Sequence, residues 1–203
     1  MSREAKPPSP LLVVLSGLSG AGKDAVLDGL RRSELPLEFI VTATTRPRRA
    51  DEVDGVHYRF LSVGEFRSLI AAGELMEWAE VYGNYYGVPK APVRQALAAG
   101  KDVIVKVDVQ GAETIKKLVP QALFIFLVPP SMEELEQRLK GRRTESPEQL
   151  ALRMETARAE MEKLHIFDHV VVNRAGELEQ TVADVAAIIE AEKNSLEPRQ
   201  ISI

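Results

Sequence analysis

Between Gly17 and Asp24 the chain reads GLSGAGKD, and the residue types at this spacing share one chemical use. Gly17, Gly20 and Gly22 lack a Cβ, so the backbone can curl with its N–H groups inward and approach a phosphate that a larger residue would push away. Lys23 adds a positive charge, and a helix starting there points its positive dipole end at the same anion. Gly17, Gly22 and Lys23 stand in the register G-x-x-x-x-G-K. The stretch Gly17, Leu18, Ser19, Gly20, Ala21, Gly22, Lys23 is therefore a candidate cradle for a nucleoside triphosphate, the alternative being a glycine-rich strand-to-helix turn with no ligand. One position departs from the pattern: Ser or Thr after the lysine would offer Mg²⁺ a hydroxyl, and this chain has Asp24.

A second group lies farther along. Arg46 and Arg49 sit in a proline-restrained loop, with tyrosine hydroxyls at Tyr58 and Tyr86 and a carboxylate at Glu77. Guanidinium forks bind phosphate bidentately and tyrosine hydroxyls add neutral donors, so the set suits a phosphate monoester dianion. Taken by itself, the loop reads more readily as a solvated basic segment beside structural tyrosines.

The elements that must position these groups alternate. Leu11 to Leu15 is an apolar run suited to a strand buried on both faces, and a helix follows over about 23–32 with Val26, Leu27 and Leu30 on one side. Phe39 to Thr42 predicts a second strand, and Asp54-Gly55 predicts a hairpin turn into a strand over 56–61. Ser62 with Glu65, Ser131 with Glu134 and Ser146 with Gln149 predict capping boxes, the last with Pro147 at the first helical position. Further strands are expected over 74–81, 102–107, 123–128 and 169–173. Helices are expected over 89–99, 110–118, 131–140, 146–164 and 177–192. Apolar strands alternating with amphipathic helices argue a parallel, doubly wound sheet.

Composition narrows the function classes. The 203 residues, 45% hydrophobic and 28% charged, suit one globular domain with a small inserted lobe. A net charge of −4 without a long basic block gives nucleic-acid or membrane-surface binding little support. There are no cysteines, and the three histidines, His57, His165 and His169, show no ligand spacing. Neither an export signal nor an apolar run long enough to span a bilayer is visible, so the expected address is the cytoplasm.

TTRPRR, GVHYRF, MEWAEVYGNYYG, VDVQGA, PPSMEELEQRLKGR and the closing VVN resemble the successive motifs of guanylate kinases, from Leu11 to the final helix. The resemblance implies an α/β P-loop NTPase fold, a parallel sheet flanked by helices, with a strand-rich GMP-binding insertion and a helical lid. By its boundaries the core is 11–41, 88–130 and 164–193, the GMP-binding lobe 42–87 and the lid 131–163, with loose tails at 1–10 and 194–203. It implies phosphoryl transfer from ATP with Mg²⁺ to GMP, small-molecule substrates both. By matching position, Arg46, Arg49, Tyr58 and Tyr86 would hold the GMP phosphate, Glu77 and Thr42 the base, and Asp108 would belong to the same site. Lys23, Arg142 and Arg153 would act on the transferring phosphoryl group, while Arg138 and Asn173 would serve the ATP side. For Glu77 there is an independent rationale: guanine presents N1–H and N2–H₂ side by side, and one carboxylate accepts both, whereas adenine offers an unprotonated N1. Val88 stands where the family pattern has a hydroxyl. Two other readings share these residues: a catalytically weak phosphopeptide-binding module, and a kinase for a phosphorylated sugar.

A second departure accompanies Asp24. The strand VIVKVDVQG has Lys106 where the family resembles D-x-D, with Asp108 retained. The end of this strand is expected beside the phosphate loop, so Asp24 and Lys106 are expected to meet, Asp24 reaching Mg²⁺ directly or through water while Lys106 balances its charge, the competing reading being that the Asp24 charge repels ATP and marks a degenerate site.

Overall fold

The computed structural model describes residues 9–33, 35–141 and 146–202. The chain runs β1 (Leu12–Gly17), α1 (Lys23–Arg32), β2 (Leu37–Phe39), β3 (Ala43–Thr44), β4 (Arg59–Phe60), α2 (Val63–Ala71), β5 (Leu75–Val81) and β6 (Asn84–Pro89). There follow α3 (Lys90–Ala98), β7 (Asp102–Lys106), α4 (Val109–Leu118), β8 (Leu123–Val128), α5 (Met132–Lys140), α6 (Pro147–Met161), β9 (His169–Val172) and α7 (Leu178–Lys193).

Two sheets divide the work. The larger has the order β2-β7-β1-β8-β9, every pairing parallel. Its three central strands β7, β1 and β8 are buried along their whole length, as their unbroken apolar runs require when helices cover both faces. Register sets Leu15 opposite Lys106, bringing the C-terminal end of β7 beside the loop that leaves β1. At the other end, the Leu11 amide donates to Asp102 at 2.8 Å and Lys193 pairs with the same carboxylate at 2.5 Å, tying the last turn of α7 to the sheet.

The smaller sheet, β4-β3-β6-β5, packs on α2 around Phe66, Ala43 and Leu75, with Tyr85 stacked on Phe66 at 5.5 Å between ring centroids. It is an insertion between β2 and α3. Helix α4 packs against β5 and so ties the two sheets together.

Several expectations are corrected. β2 starts two residues before and ends three residues before the reading of 39–42, because after Phe39 the chain turns toward the smaller sheet: the Ile40 amide still donates to Ile104, but Thr42 reaches β7 only through its side chain. Asp54-Gly55 does not open a hairpin. Gly55 makes a local turn with Tyr58, and β4 then pairs parallel to β3. Ser62 and Ser146 form complete capping boxes, with Pro147 in the first turn. At Ser131 only half of the box forms, since Glu134 turns its carboxylate to Arg138. Helix α6 stops at Met161, short of the expected 164, and Leu164–Ile166 form a separate 3₁₀ turn. Among the described residues no helix is long and apolar enough to cross a membrane.

Candidate active site

The phosphate loop joins the buried end of β1 to α1, and its glycines are required. Gly17 has φ 149° and a Cβ there would stand 2.3 Å from the Leu127 carbonyl oxygen; Gly22, with φ 95°, would place one 2.3 Å from Asn173 Nδ2. Behind the loop, Asn173 Nδ2 donates to the Ala21 carbonyl at 2.7 Å while its Oδ1 accepts from the Thr181 hydroxyl at 3.2 Å. Arg138 donates to the Asn173 carbonyl at 2.7 Å and pairs with Glu134. The two residues expected on the ATP side thus brace the loop from behind. Thr181, on α7, was not legible as part of this arrangement, since only the folded chain brings it to Asn173.

Lys23 folds over its own loop, donating to the carbonyls of Gly17 at 2.6 Å and Leu18 at 3.2 Å. Burial lowers its pKa, opposed by the carboxylates of Glu160, Asp24 and Asp108. Asp108 caps α4, its Oδ1 accepting from the Gly111 amide at 2.7 Å; its Oδ2 and Glu160 Oε2 are buried with no hydrogen-bond partner among the described residues. Burial pushes the Glu160 carboxyl up to about 7 despite Lys23, and Asp108 adds to the rise. Burial also raises Asp108. Glu160, on α6, carried no motif and was missed by the sequence.

The second group assembles on the smaller sheet. Arg46 is gripped by Glu52 through two hydrogen bonds of 2.9 and 2.7 Å, and the same carboxylate accepts from the Arg49 amide at 2.8 Å. Glu52 is 7% exposed and was not singled out in the sequence. Its signal was the short PRRADE run, which brings an acidic residue back to the arginines. The Arg46 guanidinium lies 5.4 Å from the Tyr58 ring centroid, and Tyr58 meets Tyr86 edge-on at 6.1 Å. Burial raises the Tyr58 hydroxyl pKa, leaving a neutral donor at physiological pH. Arg46, Tyr58 and Tyr86 are thus brought together; the Arg49 side chain is exposed at the loop edge.

Glu77 sits inward on β5, opposite Val88 on β6 and 4% exposed. Burial, and then Asp108, push its carboxyl up to about 8, while the Val88 backbone amide works the other way. Gly111 on α4 leaves room for it: a Cβ there would stand 2.6 Å from Glu77 Oε2. Thr42, expected at the base, lies beside the end of β7. Its hydroxyl hydrogen goes to the Lys106 carbonyl at 3.0 Å, so toward the site the oxygen can only accept.

Asp24 and Lys106 meet as expected, in an ion pair between α1 and β7. Lys106 is 7% exposed and Asp24 half-exposed. Burial opposes both charges. Lys106 nonetheless draws the Asp24 pKa below the usual carboxylate value, helped by Lys23 and Arg49, while Tyr58 and Asp24 hold Lys106 above the usual lysine value. Arg142 lies outside the described residues. Arg153, on α6, stacks over the Tyr82 ring at 5.0 Å, at the turn joining β5 and β6. Among the described residues no cluster of His, Cys, Asp or Glu forms a metal cage. A hard cation held partly by substrate phosphates needs only one or two carboxylates, and Asp24 and Asp108 beside the loop fit that requirement.

Comparison with known proteins is consistent with this geometry. A family model described as guanylate kinase matches residues 9–192. A chloroplastic/mitochondrial guanylate kinase 2 from Oryza sativa subsp. japonica is 45% identical over 98% of this chain and 70% of its own length. A guanylate kinase from Carboxydothermus hydrogenoformans is 43% identical over 95% and 92% respectively. The crystal structure of guanylate kinase from Anaplasma phagocytophilum superposes with a TM-score of 0.78 at 30% identity, covering 93% of this chain and 89% of that one. With a P-loop NTPase core, an inserted sheet that gathers Arg46, Tyr58 and Tyr86 and buries the Glu77 carboxyl, and these relatives along nearly its whole length, the chain belongs to the guanylate kinase family.

Proposed function

We propose that the protein transfers the γ-phosphoryl group of ATP, with Mg²⁺, to GMP, giving ADP and GDP, and that it acts on free nucleotides in the cytoplasm. The observation that carries the acceptor assignment is Glu77: a carboxyl buried in the same strand pair that bears Tyr86, whose ring meets Tyr58 of the Arg46–Tyr58 group. A phosphate clamp alone would suit a phosphopeptide or a sugar phosphate. A buried carboxyl able to take two adjacent N–H donors is needed by guanine and by neither of those.

Phosphoryl transfer asks mainly for in-line positioning and for charge neutralisation on the transferring oxygens. Backbone amides from Gly17 to Lys23 cradle the donor phosphates, and Lys23 leaves its own loop carbonyls for the phosphate oxygens. The dianion of GMP takes Arg46, Tyr58 and Tyr86, with Arg49 closing from the loop edge, while Glu77, ionised, accepts from the guanine N1–H and N2–H₂. Asp24, directly or through water, and Asp108 would hold Mg²⁺, which supplies charge neutralisation across the phosphates. Arg142 and Arg153 are assigned to the lid, which excludes water so that ATP is not hydrolysed in place of transfer. A coupled ADP-release assay with MgATP against GMP, AMP, CMP and UMP, with a no-acceptor control, tests the reading. Turnover confined to GMP is expected. No turnover with folded protein, together with nucleotide-independent phosphopeptide binding, would replace it with the binding-module reading.

A further inference from the structure

Lys106 occupies a place that the reaction as described does not use. It ends β7, its carbonyl is held by the Thr42 hydroxyl at 3.0 Å, and its stem is buried, so the position of its ammonium is set by β7, by α1 and by the link between β2 and β3. That ammonium has two partners: the Asp24 carboxylate on α1, and the face of the Tyr58 ring, whose centroid is 3.8 Å away. Arg46 lies over the same ring at 5.4 Å. Two cations therefore flank one tyrosine of the acceptor clamp, and each is already paired with a carboxylate, Arg46 with Glu52 and Lys106 with Asp24. A cation buried in this way needs a counter-charge while the site is empty, and a phosphate dianion arriving at Tyr58 is a stronger one.

Resting on the GMP assignment above, we infer that Lys106 is a binding residue for the acceptor phosphate, held ready by Asp24 and handed over to the GMP dianion when it binds. The exchange of charge between the two positions then has a purpose on both sides. A cation joins the acceptor clamp from the strand, and the released Asp24 carboxylate, at the first turn of α1, becomes available on the donor side of the same reaction.

The inference differs in sign from a purely structural strut. If the pair only braces α1 against β7, removing either partner loosens the same contact, and GMP binding weakens in both variants. If Lys106 is handed over, Asp24 competes with the ligand. Removing Asp24 then strengthens GMP binding while removing Lys106 weakens it.

The test is calorimetric titration of the full chain with GMP and with guanosine, without ATP or Mg²⁺, so that neither turnover nor metal contributes. Lys106→Met is expected to weaken GMP about tenfold or more, the scale of a hydrogen bond to a charged group. Asp24→Asn is expected to tighten GMP several-fold, Lys106→Arg to restore most of the affinity, and the double variant to match Lys106→Met. Guanosine, which lacks the phosphate, is expected to bind all of them alike. Weakening of GMP by both single variants, an unchanged affinity in Lys106→Met, or equal losses for guanosine and GMP would each overturn the inference. Should Lys106→Met fail to fold, the sign of the Asp24→Asn effect decides alone. Failure of the wild-type chain to bind GMP at all would instead overturn the proposed function.

Discussion

With Glu77 as the proposed partner of guanine, GMP affinity is expected to depend on pH, and the environment of the carboxyl fixes the direction and the size. Burial and Asp108 push the carboxyl up to about 8, so near neutrality the empty site holds mostly the protonated acid. Guanine offers donors on both atoms facing it and needs the ionised form. Binding below pH 8 therefore includes loss of this proton, at about 1.4 kcal/mol for each pH unit. The KM for GMP is expected to fall about tenfold between pH 7 and 8.5 and to level off above that. Glu77→Gln keeps the shape and cannot titrate, so its KM should be high and flat. The same group should affect folding. Between its ordinary value of 4.5 and about 8 the folded chain holds a proton that the unfolded chain has lost, so stability declines as pH rises through that window. At pH 7 the cost is about 3 kcal/mol, and Glu77→Gln should be the more stable protein by an amount of that order. Steady-state kinetics from pH 6.5 to 9, run beside thermal denaturation at the same pH values, checks both halves. A wild-type KM that does not change with pH, or a Glu77→Gln variant with wild-type KM, would refute the reasoning.

Other substitutions separate the two halves of the site. Gly111→Ala sets a Cβ 2.6 Å from Glu77 Oε2, so the KM for GMP should rise while that for ATP stays. Asn173→Ala removes the 2.7 Å hydrogen bond to the Ala21 carbonyl in a buried place, which should cost about 2 kcal/mol in denaturant unfolding and raise the KM for ATP, leaving GMP binding near wild type. Glu52→Ala leaves Arg46 without its buried partner. A loss of about 3 kcal/mol is expected, with GMP affinity falling more than guanosine affinity in calorimetry.

What the sequence disclosed and what it hid follow from the range of the interactions involved. The run LLVVLSG, the glycines and Lys23 act locally, each forced by its neighbours in the chain, and strand, loop and helix were placed by composition and spacing alone. The meeting of Asp24 and Lys106 was also legible, because two departures from one pattern fell where parallel neighbours β1 and β7 end together. The smaller sheet was less so. Its strands β3 and β4 have two residues each, too short for alternation to register, and the parallel return of β4 depends on the long loop that Glu52 fastens to Arg46. Asn173 and Thr181 illustrate the same limit. They lie eight residues apart in the chain, yet their use is to hold the Ala21 carbonyl, which is set by how α7 and β9 pack against the loop.

The proposed reaction moves a phosphoryl group from ATP to GMP without releasing it to water. The most direct measurement is a single turnover of ATP labelled in its γ-phosphate, with Mg²⁺ and excess GMP, resolved into products. The label is expected in the β-phosphate of GDP, with little in inorganic phosphate. Label released as inorganic phosphate, or remaining in ATP while GMP is bound, would contradict it.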